Sequence, residues 1–417
     1  MAKIALLGNG FDLHHGLPTK YSNMMHFMEY MSEFDAHYLG ESSVADVLNY
    51  YIQYCKRSIR GIRIDEDIKA YYEKHKEILS SISFDHLKFY ELQEKLNSSF
   101  WFAYFLDCVN TEMRWVDFES EIQKILVIFE RIFKAGMLLN EREKTSIPVY
   151  FDSEKILNEY YDGSQDEFKR SRRPKNILVD ARYSPPHIRI DKKFCTKDKE
   201  YNWNVLDTQE VVKALYADLD TIKEAIAFYI SSFIDSITPY LAPSLTLGDL
   251  ASAHCVVSLN YSHTYQNIYL RDSDDTNSTT VFQYHGNSVD NNIVLGVNSV
   301  RAIDGLDRED VFLPFSKFFQ RYTHDGLCNY DRDITCLLQG LEEPIHLSIV
   351  GHSLDSTDSD IIKRLFSMSQ KITIYYYNED DKTNHKRNLV RIFEKENLIE
   401  MNIKGMIEHR QLGNYMD

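Results

Sequence analysis

The stretch Ile4-Ala5-Leu6-Leu7-Gly8-Asn9-Gly10-Phe11-Asp12, with Gly16-Leu17-Pro18-Thr19 close behind, decides the fold. A short apolar run suits a buried first strand, and two glycines one residue apart permit a turn tight enough for backbone N–H groups to approach a pyrophosphate. A helix is expected next, with its N-terminus offered to the anion. The third glycine of the usual dinucleotide fingerprint is displaced, falling at Gly16. The same residues therefore also fit a plain glycine turn between strand and helix, with no ligand.

Outward from this stretch, further short apolar or β-branched runs predict strands at 255–259, 281–284, 293–295, 345–350 and 372–377. Between the first strand and these lies a long region of helical periodicity, over 86–109, 118–139 and 208–237. In the second of these, Ile122, Ile125, Leu126, Phe129, Ile132 and Phe133 recur on one face. The pattern predicts an α/β protein. Its Rossmann-type parallel-sheet core is split over residues 1–24 and 245–417, and residues 25–244 form a large, mainly helical insertion. Within the insertion, the charged segment 56–76 and the polar, proline-marked segment 152–204 read as loops. Lys169, Arg170, Arg172, Arg173 and Lys175 make part of the second locally basic; a solvated cluster and a phosphate grip are its two readings, the first favoured.

A net charge of −16 argues against a surface that embraces nucleic acid as a whole. Cys55, Cys108, Cys195, Cys255, Cys328 and Cys336 are scattered without a paired C-x-x-C, which suggests neither a zinc ribbon nor a dense disulfide framework. The first apolar run breaks at Gly8-Asn9-Gly10, too soon for a signal-peptide core, and no later run reaches membrane-spanning length. A cytoplasmic protein with no membrane partner is the expectation.

Three later motifs share the architecture of the first, a polar or glycine tip directly after an apolar strand, where ligands bind in parallel α/β sheets. Ser258-Leu259-Asn260-Tyr261-Ser262 delivers an Asn, Tyr284-His285-Gly286 delivers a His, and Val350-Gly351-His352-Ser353 delivers a second glycine turn. Asn260 has a donor and an acceptor with which to fix a ribose, a carboxamide or a water, and it also suits an ordinary helix cap. His285 is a candidate acid or base, with a structural histidine as its plain alternative. Gly351 and Ser353 fit the far side of a nucleotide cradle. The run Asp355-Ser356-Thr357-Asp358-Ser359-Asp360 reads as a helix cap in preference to a magnesium site. His14-His15 lacks companion ligands, and no metal is expected. Trp115-Val116-Asp117-Phe118-Glu119 opens a helix with two acids that the helix dipole favours, and the spacing does not place Glu119 in the site.

The ordered set Gly8-Asn9-Gly10-Phe11-Asp12, Gly16-Leu17-Pro18-Thr19, Ser258-Leu259-Asn260-Tyr261-Ser262, His285-Gly286, Gly351-His352-Ser353-Leu354-Asp355 and Asp358 resembles the AbiH family of bacterial abortive-infection proteins. Trp115, Glu119 and Tyr375-Tyr376-Tyr377-Asn378 look like features of the same family. The resemblance implies defence against bacteriophage. More distantly, the motifs are similar to the sirtuin-like domains of bacterial defence proteins, which implies a sirtuin-like core. In that superfamily an Asn and a His act on NAD, and by resemblance these map onto Asn260 and His285. Gly8, Asn9, Gly10, Gly351 and Ser353 would then surround the phosphates and ribose, with Asp12, Ser262 and Asp358 added to the binding set.

The resemblance implies no required cofactor, with NAD or a related nucleotide as substrate or ligand, a phage-derived or host trigger, and room for a homo-oligomer. Two departures matter. The sirtuin zinc ribbon has no counterpart here, which disfavours peptide deacylation. Ser262 stands where sirtuins commonly have an acid that helps hold nicotinamide. A nucleotide-binding sensor or toxin scaffold that does not cleave its ligand is the alternative function, and a nuclease ranks last.

Overall fold

The computed structural model describes residues 1–34, 42–57, 65–111, 117–135, 146–149, 177–180, 187–191, 194–197, 204–245, 247–271, 279–300 and 309–412. Strand β1 (Ala2–Leu7) is separated in sequence from its sheet partners by the helical half of the chain and by two small antiparallel pairings. These are β2 (Ser146–Val149), β3 (Ile177–Asp180) and β4 (His187–Asp191) in the order β2-β4-β3, and β5 (Cys195–Lys197) with β6 (Asn204–Leu206). The partners of β1 follow as β7 (Cys255–Ser258), β8 (Thr280–Gln283), β9 (Ile345–Val350), β10 (Lys371–Tyr376) and β11 (Ile407–Gln411). All six strands are parallel, in the order β11-β10-β9-β1-β7-β8. Renumbered by sequence within the sheet, this is the 3-2-1-4-5-6 order of doubly wound, Rossmann-like sheets.

The apolar runs work as strands because both faces of the sheet are covered. Ile4 and Leu6 point into one core with Val257, Leu347, Ile349 and Ile374, and Ala5 and Leu7 point into the other with Val256, Val350 and Tyr375. The chain runs outward from β1 through β7 to β8, then crosses to the other side of β1 for β9, β10 and β11. The switch point therefore lies between the C-terminal ends of β1 and β9. Strands β9, β1, β7 and β8 end level with one another: Leu7 is opposite Ser258 and Val350, and Ser258 is opposite Gln283. Gly8, Asn260, His285 and Gly351 all lie just past that line.

The helical half comprises α1 (Asn9–His14), α2 (Tyr21–Glu33), α3 (Val44–Arg57), α4 (Glu66–Leu79), α5 (His86–Leu96), α6 (Phe100–Thr111), α7 (Phe118–Ala135) and α8 (Thr208–Tyr229), the last continuing as a π-helical turn over Ile230–Asp235. Apart from α1, whose Phe11 packs in the sheet core with Ala5 and Leu7, their apolar stripes share one core, built on Phe27, Trp101, Phe105, Phe118, Phe129 and Ile222. Tyr261, Ile293, Leu295 and Phe315, from far along the chain, complete it. No helix of the described residues is long and apolar enough to cross a membrane.

Four expectations change. The region 293–295 is not a strand; its backbone is held by Val294 N–H to the His285 carbonyl and by Gln320, which bonds both N–H and C=O of Leu295. The segment 86–109 is two helices, α5 and α6, with a break at 97–99. Most of 56–76 is helical rather than loop. Asp65 caps α4 by accepting from Asp67 N and Ile68 N, and Ile68, Tyr71, Tyr72, His75 and Leu79 bury one stripe beneath the charged face. Within 152–204, β3, β4 and β5 replace an unstructured excursion. The basic cluster 169–175 and Trp115 lie outside the described residues.

Candidate functional site

The first glycine turn closes against the second. Gly8 N–H donates to the Val350 carbonyl at 3.1 Å, and Gly10 N–H donates to the Gly351 carbonyl at 2.7 Å. A Cβ on Gly8 would lie 2.7 Å from His352 Cα, one on Gly10 2.8 Å from Gly351 Cα, and one on Gly351 2.0 Å from Phe11 N. Gly351 also needs its left-handed φ of +69°. These glycines let two backbones touch across the switch point, so two of the N–H groups expected to face a pyrophosphate are already committed. Gly16, at φ +75°, ends α1 and has only Lys74 Nζ near its missing Cβ, at 3.7 Å.

Beside this contact lies a cavity of about 190 Å³. Gly8, Asn9, Gly10, Asp12, Asn260, His285, Gly351, Ser353 and Asp358 all line it. Ser262 is the one sequence-selected residue behind the wall. Its hydroxyl donates to Asp12 Oδ2 at 2.6 Å and pairs with Thr264 Oγ1 at 2.9 Å. Asp12 is 1% exposed, its Oδ1 has no hydrogen-bond partner, and burial pushes its carboxyl up to about 7 against the hydrogen bond from Ser262.

Asn260 is not a helix cap. The following helix begins at Thr264 with His263 at its cap position, and the Asn260 carboxamide nitrogen donates instead to the Gly8 carbonyl at 3.1 Å. This bond ties the end of β7 to the first glycine turn. The hydroxyl of Thr19 meets Asn9 Oδ1 at 2.6 Å from the other side.

The capping reading of the run 355–360 holds at Asp355 and not at Asp358. Asp355 caps the short turn by accepting from Thr357 N, and Asp358, 8% exposed, makes no capping bond. Its Oδ1 accepts from Lys317 Nζ at 2.7 Å, and its Oδ2 lies 3.2 Å from His352 Nε2. His285 Nε2 is 3.2 Å from the same Oδ1 but too oblique for a hydrogen bond. Lys317 is 1% exposed and also meets Glu119 Oε1 at 2.7 Å. Lys317 and His285 hold Asp358 well below the usual carboxylate range, while burial and the neighbouring Asp358 charge push Glu119 up. Burial, with help from Lys317, drives His285 down to about 4, so its imidazole is neutral at physiological pH.

The helical layer closes this side of the cavity. Phe105, Phe118 and Tyr21 form a face-to-face stack with centroid spacings of 4.2 and 4.3 Å, which seats Tyr21 and the adjoining Glu119 against Tyr261 and Lys317. Asp117 fixes the start of α7 by accepting from Glu119 N at 3.0 Å. Lys317 was the residue missing from the sequence reading. It lies on a helix, Lys317–Thr323, that buries Lys317, Gln320 and Arg321 and exposes Phe318 and Tyr322, the reverse of ordinary amphipathic logic. The turn after β9 carries a further constraint, since buried Leu354 adopts φ +57° while its N–H donates to His352 Nδ1 at 2.9 Å. A left-handed leucine costs about 1–2 kcal/mol. Among the described residues no group of three or more His, Cys, Asp or Glu side chains is disposed to hold a metal ion.

Residues 4–377 match the family model described as bacteriophage abortive infection AbiH. No curated protein and no solved structure matches the chain.

Proposed function

Because the chain belongs to the AbiH family of bacteriophage abortive infection, we propose that its switch-point cavity binds NAD or a related nucleotide and hydrolyses the bond between base and ribose when infection is sensed. Loss of the nucleotide then aborts the infection. The observation that carries this reading is the convergence of the Gly8 turn, Asn260, His285 and the Gly351 turn on one cavity at the place where parallel sheets bind nucleotides. At about 190 Å³ the cavity is smaller than the roughly 300–1,000 Å³ usual for drug-sized ligands, so it suits a base with its ribose, the rest of a dinucleotide crossing the mouth at exposed Ser353.

In the reaction, the bond from C1′ to the base nitrogen breaks and its electron pair leaves with nicotinamide. Water oxygen bonds to C1′, and one water proton passes to the protein. Asn260, with its amide nitrogen anchored on Gly8, presents its carbonyl oxygen to orient that water. Asp12 and His285 both line the cavity, and each carries a buried atom without a hydrogen-bond partner as a candidate to receive the proton.

The sirtuin resemblance left Ser262 where an acid is common, which favoured a sensor that binds without cleaving. Ser262 instead holds Asp12, a carboxylate on α1 after the neighbouring strand β1, which supports the hydrolytic reading over the sensor. Nicotinamide release from NAD by purified protein, with Asn260→Ala and His285→Ala as controls, tests the proposal. Loss of phage protection in both variants with no nucleotide turnover by the wild type, including protein recovered from infected cells, overturns it. Intact nucleotide retained through purification would then mark a sensor.

A further inference from the structure

We propose that Asp12 is the group that takes the proton from the attacking water, with His285 kept as an uncharged neighbour; this rests on the hydrolytic reading above. The two oxygens of Asp12 have different surroundings. Oδ2 is fixed by the Ser262 hydroxyl at 2.6 Å, and Oδ1 lacks a partner in a residue that is 1% exposed and lines the cavity. A position in the first turn of α1 accounts for an acid there through the helix dipole, but not for a buried oxygen left without a donor. An anchored oxygen beside a free one is the geometry of a carboxylate held to accept a proton from water.

His285 is poorly placed for that task. Protonating it puts a second cation beside Asp358 Oδ1, which already takes Lys317 Nζ at 2.7 Å. Asp12 has no such competitor. The charged and titratable groups that face it from other elements are Asp235, on the π-helical turn, and Tyr377, after β10. Asp235 adds to the effect of burial, and is itself held by His263 Nδ1 at 2.9 Å and the Ser288 hydroxyl at 2.6 Å. The outcome is a carboxyl at about 7 and an imidazole at about 4, and a base works best near the operating pH.

In the step itself, the water O–H proton moves to Asp12 Oδ1 as water oxygen bonds to C1′. The pair of the breaking bond departs on neutral nicotinamide, and the proton is later lost to solvent.

The test is nicotinamide release from NAD by the full chain between pH 5.5 and 9. Wild type is expected to lose rate on the acid side near pH 7. Asp12→Asn, nearly isosteric, is expected to lose at least about 100-fold in rate and to lose the acid limb, with NAD binding retained. Ser262→Ala removes a bond that favours the ionised form, so it is expected to keep the limb but move it to higher pH; it also decides the matter if Asp12→Asn does not fold. His285→Gln is expected to leave the limb where it is. Asp12→Asn turning over within threefold of wild type, or a limb that vanishes in His285→Gln, overturns the assignment while hydrolysis stands. Absence of release by the wild type overturns both.

Discussion

Two carboxylates lie 2.7 Å from the same buried ammonium, yet only one of them carries the charge. Asp358 is ionised against Lys317, whereas burial and the Asp358 charge favour a proton on Glu119. Lys317→Met strips the cation from an ionised, buried Asp358, and breaking such a pair from one side costs about 3–5 kcal/mol. Asp358→Asn costs less, roughly 1–3 kcal/mol, because Glu119 can give up its proton and pair with the stranded lysine. Glu119→Gln replaces a protonated acid by an amide whose oxygen still accepts from Lys317, so it costs under about 1 kcal/mol. Urea unfolding at pH 7, reading the midpoint at a fixed m-value, gives the ranking. In the same set, proton NMR of His285 should show its pKa rising in Lys317→Met, since the cation that opposes its protonation is gone and Asp358 remains. Glu119→Gln costing as much as Lys317→Met would place the charge on Glu119 and refute the reasoning.

Gly351→Ala forces a Cβ to within 2.0 Å of Phe11 N at a φ of +69° and should cost more than about 3 kcal/mol or prevent folding, whereas Gly16→Ala, at φ +75° with only the flexible end of Lys74 in van der Waals contact, should cost about 1–2 kcal/mol by thermal melting. Stability should peak near neutral pH, with two opposed causes. Between pH 3.8 and about 7 the folded chain holds a proton on Asp12 that the unfolded chain has released, so stability falls as pH rises through that window, by roughly 2–3 kcal/mol from pH 5 to 8. Between pH 6.5 and about 4 the unfolded chain protonates His15, His75, His285 and His385 while the folded chain does not, so stability falls as pH drops. Urea midpoints across pH read both limbs; Glu119, which burial also keeps protonated into this range, adds to the alkaline one, so Asp12→Asn should make it shallower without abolishing it. Asn260→Asp removes the donor to the Gly8 carbonyl and sets a second carboxylate beside Asp12, so the thermal shift given by NAD should disappear; an unchanged shift would remove Asn260 from the binding set.

The sheet was legible because its strands are buried on both faces and read as apolar runs, each ended by a residue type that chemistry could use. Residues 293–295 misled for the same reason: an apolar run beside Gly286 and Gly296 looks like a strand, but its hydrogen bonds go to His285 and to the Gln320 side chain. Charge concealed α4, where acid and lysine residues on the wet face outnumber the stripe of Ile68, Tyr71 and Tyr72. Of the site, the strand-end residues could be found because they follow the strands directly. Glu119 and Lys317 could not, since each acquires its role from the other across nearly two hundred residues of sequence. The hydrogen bond from Ser262 to Asp12 was hidden in the same way, joining the end of β7 to α1.

The glycines and the ion cluster make different demands on the chain, and the difference says where the chemistry resides. With Gly8, Gly10 and Gly351 committed to a backbone contact across the switch point, the opening turn does less for phosphate than its sequence suggests, and recognition shifts to side chains. Those side chains are held from two directions. Asn260 and Asp12 are fixed by the sheet, through Gly8 and Ser262, whereas His285 and Asp358 are fixed through Lys317 to Glu119 on a helix of the inserted half. Displacing α7 would therefore take Glu119 from Lys317 and leave the ammonium to Asp358, while Asn260 and Asp12 kept their places. The inserted helices are thus a wall of the site, and a disturbance of α7 reaches the cavity through one buried ammonium.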